Sequence, residues 1–143
     1  MTTSSDDITL VRDAIHNPAE PRHFMRLARP SYVITASLDG VEIARSTRAI
    51  KLKEVGRDIY DPAIYFPRDD VDMDKLTSID KSTHCPLKGD AEYFDGDLAG
   101  RHHAEVAWSY NRTLSIAAAI TGYIAFYPQR VHVVEHSASA VPA

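Results

Sequence analysis

The chain has few cysteines: Cys85 is the single one among its 143 residues. One cysteine excludes an internal disulfide bond, and it excludes a zinc site built from several thiolates of one chain. The fold is therefore expected to depend on its apolar core alone. A chain of this length predicts one principal domain.

The sequence also lacks the features of nucleic-acid-binding and membrane proteins. Its formal net charge is −4, whereas a protein that neutralises phosphates needs a basic face. It has no apolar run near the length of a membrane span, and its first residues lack the apolar core of a signal peptide. The hydrophobic fraction of 44% and the charged fraction of 25% are typical of a soluble globular protein. We therefore expect a cytoplasmic protein without a nucleic-acid or membrane partner.

The first thirty residues differ in pattern from the rest. Apolar residues at helical spacing predict a helix over residues 8–16, which Asn17-Pro18 ends. Residues 18–30 follow as an extended arm or a short helix. This arm is expected to cover either the pocket of its own chain or that of a partner, and the second arrangement would make a homodimer. The predicted division is a helix and arm over 1–30, a β-rich domain over 31–136 and a disordered tail over 137–143.

Most of the remaining chain has the pattern of short antiparallel strands. Asp39-Gly40 is a strong hairpin signal between two runs of apolar and β-branched residues. The fold class is therefore mainly β, a β-rich α+β domain with short helices. The predicted strands are 32–37, 41–44, 50–55, 63–66, 90–98, 101–110, 123–128 and 131–134, with a helical turn after Pro67 and a short buried helix over 114–120.

Four aspartates near the helical turn, at positions 69, 70, 72 and 74, resemble a calcium loop in composition only. The spacing, the central glycine and the final glutamate of an EF-hand are missing. A solvated turn is the favoured interpretation, and no metal site and no cofactor are predicted.

The stretch Thr83–Gly89 is the most distinctive in the chain. It places an imidazole, a thiol and an ammonium close together, with His84 directly before Cys85. Pro86 and Gly89 predict a shaped backbone, because proline fixes its own φ and glycine permits angles that other residues avoid. Shaped loops frequently carry function, so we expect the site to include this stretch.

Cys85 has two interpretations. A lone cysteine is usually a small buried hydrophobic residue. Alternatively, His84, Lys88 and backbone N–H groups could stabilise a thiolate that acts in catalysis. In an extended backbone His84 would point away from Cys85, and His103 or Glu105 from the next strand could serve as the base instead.

Two carboxylates and a lysine are candidates for moving or holding charge. Glu54 ends the third strand where strict alternation breaks, so it is either an exposed strand end or an inward-facing acid or base. Glu105 has the same two interpretations. Lys88 is either solvated or, inside a pocket, a holder of an oxyanion or carboxylate.

Aromatic residues near strand ends are candidate pocket walls. Tyr65, Trp108 and Tyr110 are most often core residues, but rings with polar tips also line sites for apolar ligands. His84 and His103 complete the candidate substrate-binding residues. His102 and His103 are neighbours on a predicted strand and face opposite sides of it, so we do not expect them to bind one metal ion.

Five ordered blocks over about residues 31–135 resemble the domain-of-unknown-function family numbered 427. The resemblance implies a compact, mostly antiparallel fold of the β-tent kind, in which two sheets meet around a pocket. Two features depart from the family pattern: Asn111-Arg112-Thr113 replaces the usual prolines, and residues 1–30 are longer and different. The matching blocks are Ala44–Ala49, Tyr65-Phe66-Pro67 with Asp70-Val71, Thr83–Gly89, Ala107–Tyr110 and Gly122–Pro128.

The predicted function is a small-metabolite enzyme that uses cofactor-free acid–base chemistry, such as dehydration, addition, isomerisation or cyclisation. A tailoring step in a biosynthetic pathway would suit it. Glu54 or Glu105 would move the proton, and Lys88 with Tyr65 would polarise a carbonyl group. Aromatic side chains such as Trp108 would hold the apolar part of the substrate.

Two alternatives belong to other classes. The same pocket could hold a metabolite without turnover, which would make the protein a binding module. The family is also sometimes labelled nucleotidyltransferase, but no glycine-rich phosphate loop is present in this sequence.

Overall fold

The computed structural model describes residues 12–137, and these form a mainly β structure with short 3₁₀ turns. The mainly β fold class predicted from the sequence is confirmed. The 3₁₀ turns are Arg68–Asp70, Met73–Lys75 and Ser115–Ile120.

The strands are β1 (Ile15–Asn17), β2 (Glu20–Ala28), β3 (Val33–Leu38), β4 (Val41–Ser46), β5 (Ile50–Val55), β6 (Ala63–Phe66), β7 (Leu76–Cys85), β8 (Gly89–Leu98), β9 (Arg101–Thr113), β10 (Ile124–Phe126) and β11 (His132–His136).

The strands form two antiparallel sheets. The large sheet has the order β1-β2-β5-β6-β10-β9-β8-β7, and the small sheet has the order β11-β3-β4. Asp39-Gly40 connects β3 to β4 as the hairpin signal predicts, and both residues have positive φ. No helix within residues 12–137 is long and apolar enough to span a membrane.

Alternating residues of the large sheet build two cores on its two faces. Phe66 of β6 belongs to the first core, which also contains Ile34 and Ile43 of the small sheet and so fills the space between the sheets. Tyr65, its neighbour in sequence, belongs to the second core on the opposite face, together with Met25. The candidate site borders the second core.

The large sheet curls around the second core. Cys85 ends the edge strand β7, yet its Sγ atom lies within 4.8 Å of a ring nitrogen of His23, which belongs to β2 near the opposite edge. This curvature brings the turn between β7 and β8 next to β2 and β5. Residues far apart in the order of strands therefore meet at one place.

The N-terminal segment differs from its prediction. The end of the predicted helix over 8–16 is wrong, because Ile15–Asn17 is strand β1, which pairs with β2. The helical alternative for residues 18–30 is also wrong, since Glu20–Ala28 is a nine-residue strand between β1 and β5. Strand pairing replaces a helix that had little local support. The start of that helix and most of the predicted tail, 138–143, lie outside the described residues.

Strand β7 was not predicted. Its residues are mostly polar and exposed, so no apolar alternation marks it. As a result Thr83, His84 and Cys85 belong to a strand, and only the three residues 86–88 form the turn to β8. The predicted loop is therefore a hairpin tip.

The helical predictions are met by short 3₁₀ turns. The buried segment 114–120 is a 3₁₀ turn with non-helical angles at Ala117, and Ala117 and Ile120 are buried. Near the aspartates, Asp70 accepts hydrogen bonds from Ser46 Oγ at 2.6 Å and from Arg48 Nη2 at 3.0 Å. Asp70 thus fastens its turn to the end of β4.

Candidate active site

Glu54 is an inward-facing carboxylate at the end of β5. It continues the buried row of Ile50 and Leu52, because alternate residues of a strand share a face. It also lies directly opposite the buried Met25 of β2, and directly opposed residues point to the same side. The Glu54 side chain is only 12% exposed. A charged residue therefore occupies a position at which the alternation of β5 predicts an apolar residue.

Lys88 provides the countercharge from the β7–β8 turn. Its Nζ donates to Oε1 of Glu54, and the residue is only 7% exposed. Its carbonyl oxygen accepts a hydrogen bond from the Leu114 N–H at 2.9 Å. Gly89 follows at φ +120°, and an added Cβ there would clash with the carbonyl oxygen of Arg112 and lie 2.8 Å from Thr113 Cα. The backbone around Lys88 is thus held on both sides.

The other oxygen of Glu54 is held by an imidazole. His23 Nε2 lies 2.8 Å from Oε2 of Glu54. Asn17 Oδ1 accepts from the Ala19 N–H at 3.0 Å, which directs Asn17 Nδ2 to His23 Nδ1 at 3.4 Å. Because Nδ1 accepts this hydrogen bond, the proton of a neutral His23 sits on Nε2 and is donated to Glu54.

A cavity of about 290 Å³ opens beside Glu54 and Lys88. We call it the aromatic cavity, because six of its eleven lining residues are tyrosine or tryptophan. It is lined by Leu52, Glu54, Tyr60, Asp61, Ala63, Tyr65, Lys88, Tyr93, Trp108, Tyr110 and Tyr127.

The wall of this cavity is one row across the large sheet. Tyr93, Trp108, Ala125 and Tyr65 are successive partners on β8, β9, β10 and β6. The small side chain of Ala125 lets its neighbours meet over it: Trp108 Nε1 donates to Tyr65 Oη at 3.1 Å, and the two rings are nearly perpendicular at 6.1 Å between centroids. Such edge-to-face contacts are a favoured geometry for aromatic pairs.

Two tyrosine hydroxyls in the cavity keep their protons available. Burial raises the pKa of Tyr65 and of Tyr110 well above that of a free tyrosine. Among residues 12–137 no acceptor receives the Tyr110 hydroxyl proton, and Tyr65 Oη only accepts, from Trp108. Both phenols are therefore positioned to donate to a bound molecule.

A second cavity of about 810 Å³ lies on the other side of Glu54. We call it the polar cavity. Glu54 and Tyr60 line both cavities, so the carboxylate stands between them. The remaining lining residues are Asn17, Glu20, Arg22, His23, Gly56, Arg57, His84, Cys85 and Pro86.

Residues 26–137 match the family model described as a domain of unknown function, DUF427. This chain belongs to the DUF427 family. The match confirms the family indicated by the sequence blocks, and a comparison with curated proteins found no match. Glu54 and Lys88 lie inside the matched region, whereas Asn17 and His23 precede it. The imidazole side of the site is thus contributed by the segment outside the DUF427 match.

His23, Glu54 and Cys85 form a cluster with metal-ligand chemistry, since one ligand atom of each lies within 4.8 Å of the others. Three such ligands with an open position are the usual number for catalytic zinc. A metal-bound histidine normally donates its other N–H to an acceptor, but Nδ1 of His23 accepts from Asn17. The surroundings fit an imidazole that donates to a carboxylate better than a metal ligand.

The structure does not bring together all the predicted site residues. Glu105 pairs with Lys81 at 2.8 Å, and it lines a separate cavity of about 320 Å³ beside Tyr127. His103 Nε2 lies 2.8 Å from Asp39 of the β3–β4 hairpin. The groups near Cys85 are therefore His23 and Glu54, whereas His103 and Glu105, the bases suggested by the sequence, have partners elsewhere.

The remaining candidates lie at the two cavities. Tyr65, Trp108 and Tyr110 line the aromatic cavity, while His84 and Cys85 line the polar cavity. His84 Nδ1 lies 2.8 Å from Asp90, away from the thiol, as an extended backbone requires.

The sequence pattern did not indicate four residues that line the two cavities, namely Asn17, His23, Tyr93 and Tyr127. One signal was available for His23: it precedes Met25 by two residues, so on a strand both face the same side. The assignment of this segment to an arm or helix concealed that alternation.

Proposed function

We propose that this DUF427 protein is an enzyme that moves a proton on a small organic molecule bound in the aromatic cavity. The observation that carries the proposal is the position of Glu54, a buried carboxylate that faces two phenol donors across a cavity of ligand size. The side chains of the protein itself would perform the reaction.

Glu54 has the capacity to accept a proton although both of its oxygens are already hydrogen-bonded. A carboxylate offers about four lone-pair sites, and Lys88 and His23 occupy one on each oxygen. A free lone pair therefore remains for a C–H or O–H group of a ligand. The two donors also hold the carboxylate in one orientation, which favours transfer along a defined direction.

The phenols would stabilise the charge that develops. When Glu54 takes a proton from the carbon next to a carbonyl group, the electron pair moves to the carbonyl oxygen. The Tyr110 hydroxyl, assisted by Tyr65, would donate a hydrogen bond to that oxygen. Return of the proton to another carbon gives isomerisation, and its transfer to a departing hydroxyl group gives dehydration.

Proton exchange with solvent tests the proposal without knowledge of the natural substrate. A panel of small ketones, enones and β-keto esters would be incubated with the protein in D₂O, and loss of the α-proton signal followed by NMR. We expect at least one compound to exchange faster with the wild type, and Glu54→Gln to reduce that rate by about 10²–10⁴-fold, the usual contribution of a general base. Glu42→Gln is the matched control, because Glu42 is a surface glutamate paired with Arg45.

Glu54→Gln leaves Lys88 buried without its countercharge, so the double variant Glu54→Gln/Lys88→Met provides a folded comparison. Exchange that is unchanged in both variants would contradict the role of Glu54. Glu105→Gln tests the other predicted base, and the structure leads us to expect no loss from it beyond that of the Glu42 control.

A binding module is the second candidate, and one observation favours it: the Glu54 carboxylate is already tied to two protein donors. This alternative predicts saturable binding in the aromatic cavity without proton exchange for any compound of the panel. The nucleotidyltransferase alternative receives no support from Asp70, a candidate magnesium ligand, because its carboxylate accepts hydrogen bonds from Ser46 and Arg48.

A further inference from the structure

We infer that the ligand of the aromatic cavity is an uncharged, planar, conjugated carbonyl compound whose carbonyl oxygen accepts a hydrogen bond from Tyr110. This inference rests on the proposed function and names the substrate class of the same site. Three properties of the cavity support it: its charge balance, the arrangement of its rings and its unused hydroxyl proton.

The charge balance disfavours an anionic ligand. Lys88 is the only cation among the residues that line the aromatic cavity, and its Nζ is bonded to Glu54. Asp61 adds a negative charge at the rim, and no ion-pair partner is found for it within residues 12–137. A carboxylate or phosphate entering this cavity would meet two carboxylates and no free cation.

The rings favour a flat ligand. Trp108 contacts Tyr65 edge-on and Tyr127 at 4.6 Å between centroids, so aromatic surfaces meet at different angles around one space. A planar conjugated molecule can stack on one ring while meeting the edge of another. The volume of about 290 Å³ lies near the lower end of the range for ligand pockets, which suits a molecule of one or two rings.

The hydroxyl of Tyr110 has no hydrogen-bond acceptor within residues 12–137. Tyr110 is only 9% exposed, and no described residue accepts its proton. Among residues 12–137 the buried side-chain polar atom without a partner is Ser109 Oγ, so the Tyr110 hydroxyl is itself accessible from the cavity, where a ligand oxygen can accept its proton. Lys88 Nζ lies 5.3 Å from the centroid of the Tyr110 ring, so this ring lies beside the ion pair of Glu54 and Lys88.

The experiment uses Trp108, which is the only tryptophan of the chain and lines the cavity, so its emission reports on occupancy directly. Three probes separate the three properties: chromone is planar, uncharged and conjugated; chromone-2-carboxylate adds a negative charge; naphthalene keeps the two flat rings but lacks the carbonyl. Each would be titrated against the full chain, with quenching corrected for probe absorption and calorimetry as a second readout.

We expect chromone to quench saturably and to bind at least about tenfold more tightly than either other probe. A tenfold change corresponds to about 1.4 kcal/mol, within the usual contribution of one hydrogen bond. Tyr110→Phe should weaken chromone about tenfold and leave naphthalene unchanged. This variant removes only a hydroxyl without a protein partner, so it should fold like the wild type.

Tighter binding of the carboxylate, equal binding of chromone and naphthalene, or an unchanged chromone affinity in Tyr110→Phe would each overturn the inference. No saturable quenching by chromone would also overturn it. The proposed function fails separately: chromone that binds as expected, while no compound of the panel exchanges protons, would leave the ligand class intact and remove the catalytic role. Proton exchange with a compound of the panel, together with no saturable binding of chromone, would do the reverse.

Discussion

Glu54 and Lys88 occupy positions where neither charge is stable alone. Their side chains are 12% and 9% exposed, so both have lost most of their hydration. Mutual attraction and the further donor from His23 offset that cost. Such a pair contributes little net stability, but it makes each partner necessary to the other.

Lys88→Met should therefore destabilise the protein strongly, because it leaves the Glu54 charge buried. We expect a loss of about 3–5 kcal/mol in the free energy of unfolding, measured by urea denaturation. Glu54→Gln/Lys88→Met should recover most of this loss, since no uncompensated charge remains. Equal losses in the single and double variants would show that packing rather than charge pairing holds this position.

At the scale of elements, the position of the β7–β8 hairpin determines which residues meet at the candidate site. Its tip carries Cys85 and Lys88 to β2 and β5, across the curled sheet. Gly89 makes this turn possible, because the chain passes so close to β9 that no Cβ can be accommodated. A glycine here is required by space as well as by its backbone angle.

Gly89→Ala should consequently cost more than Gly100→Ala, its matched control. Both residues have positive φ, but at Gly100 nothing lies within 4 Å of an added Cβ. Backbone strain alone predicts about 1–2 kcal/mol for Gly100→Ala. We expect Gly89→Ala to exceed the usual single-mutant range of about 0.5–3 kcal/mol in the free energy of unfolding. Similar losses for both variants would rule out the close approach to β9.

At the scale of the whole molecule, the curled sheet buries tyrosines that an unfolded chain exposes. Burial raises the pKa of Tyr65 and Tyr110, and it raises the pKa of the half-buried Tyr127 to about 12. Folded protein therefore keeps phenol protons that the unfolded chain releases near pH 10. This stability is fully present below about pH 10 and is lost as the pH rises toward the folded-state values.

Alkaline pH should thus unfold the protein in a tyrosine-dependent way. Above about pH 10 each fully retained proton adds a decline of about 1.4 kcal/mol per pH unit to the free energy of unfolding. Tyr110→Phe removes one such contribution, so its decline between pH 10 and 12 should be shallower than that of the wild type by about this amount. Urea denaturation across this range measures the slopes, and identical slopes would contradict the buried position of Tyr110.

Much of the β structure follows from local pattern. Alternation and turn residues identify β3 to β6 and β8 to β11, because each strand buries one face and each turn needs particular backbone angles. Strand β7 escaped detection since its polar residues carry no alternation. At β1 three apolar residues at helical spacing predict a helix, which is weak evidence over so short a segment. At β2 the sequence pattern leaves an extended arm and a short helix open.

Several candidate site residues were also identifiable by type. Glu54 stood out as a charge at the end of an apolar row, and Lys88 as a lysine bracketed by turn residues. Trp108 and Tyr110 are two residues apart, so a strand presents them together. These four residues line the aromatic cavity, and their catalytic or binding roles stay predictions.

Tertiary structure alone decided which charges meet. Curling of the large sheet joined His23 to Glu54, 31 residues apart, and a distance of that kind has no local signature. Glu105, at φ +45°, lies at a bulge in the pairing of β8 with β9 and forms an ion pair with Lys81. The physical reason is the distance along the chain over which each interaction acts. Periodicity and turn chemistry act between residues close in sequence, whereas packing across the whole core determines register, bulges and sheet curvature.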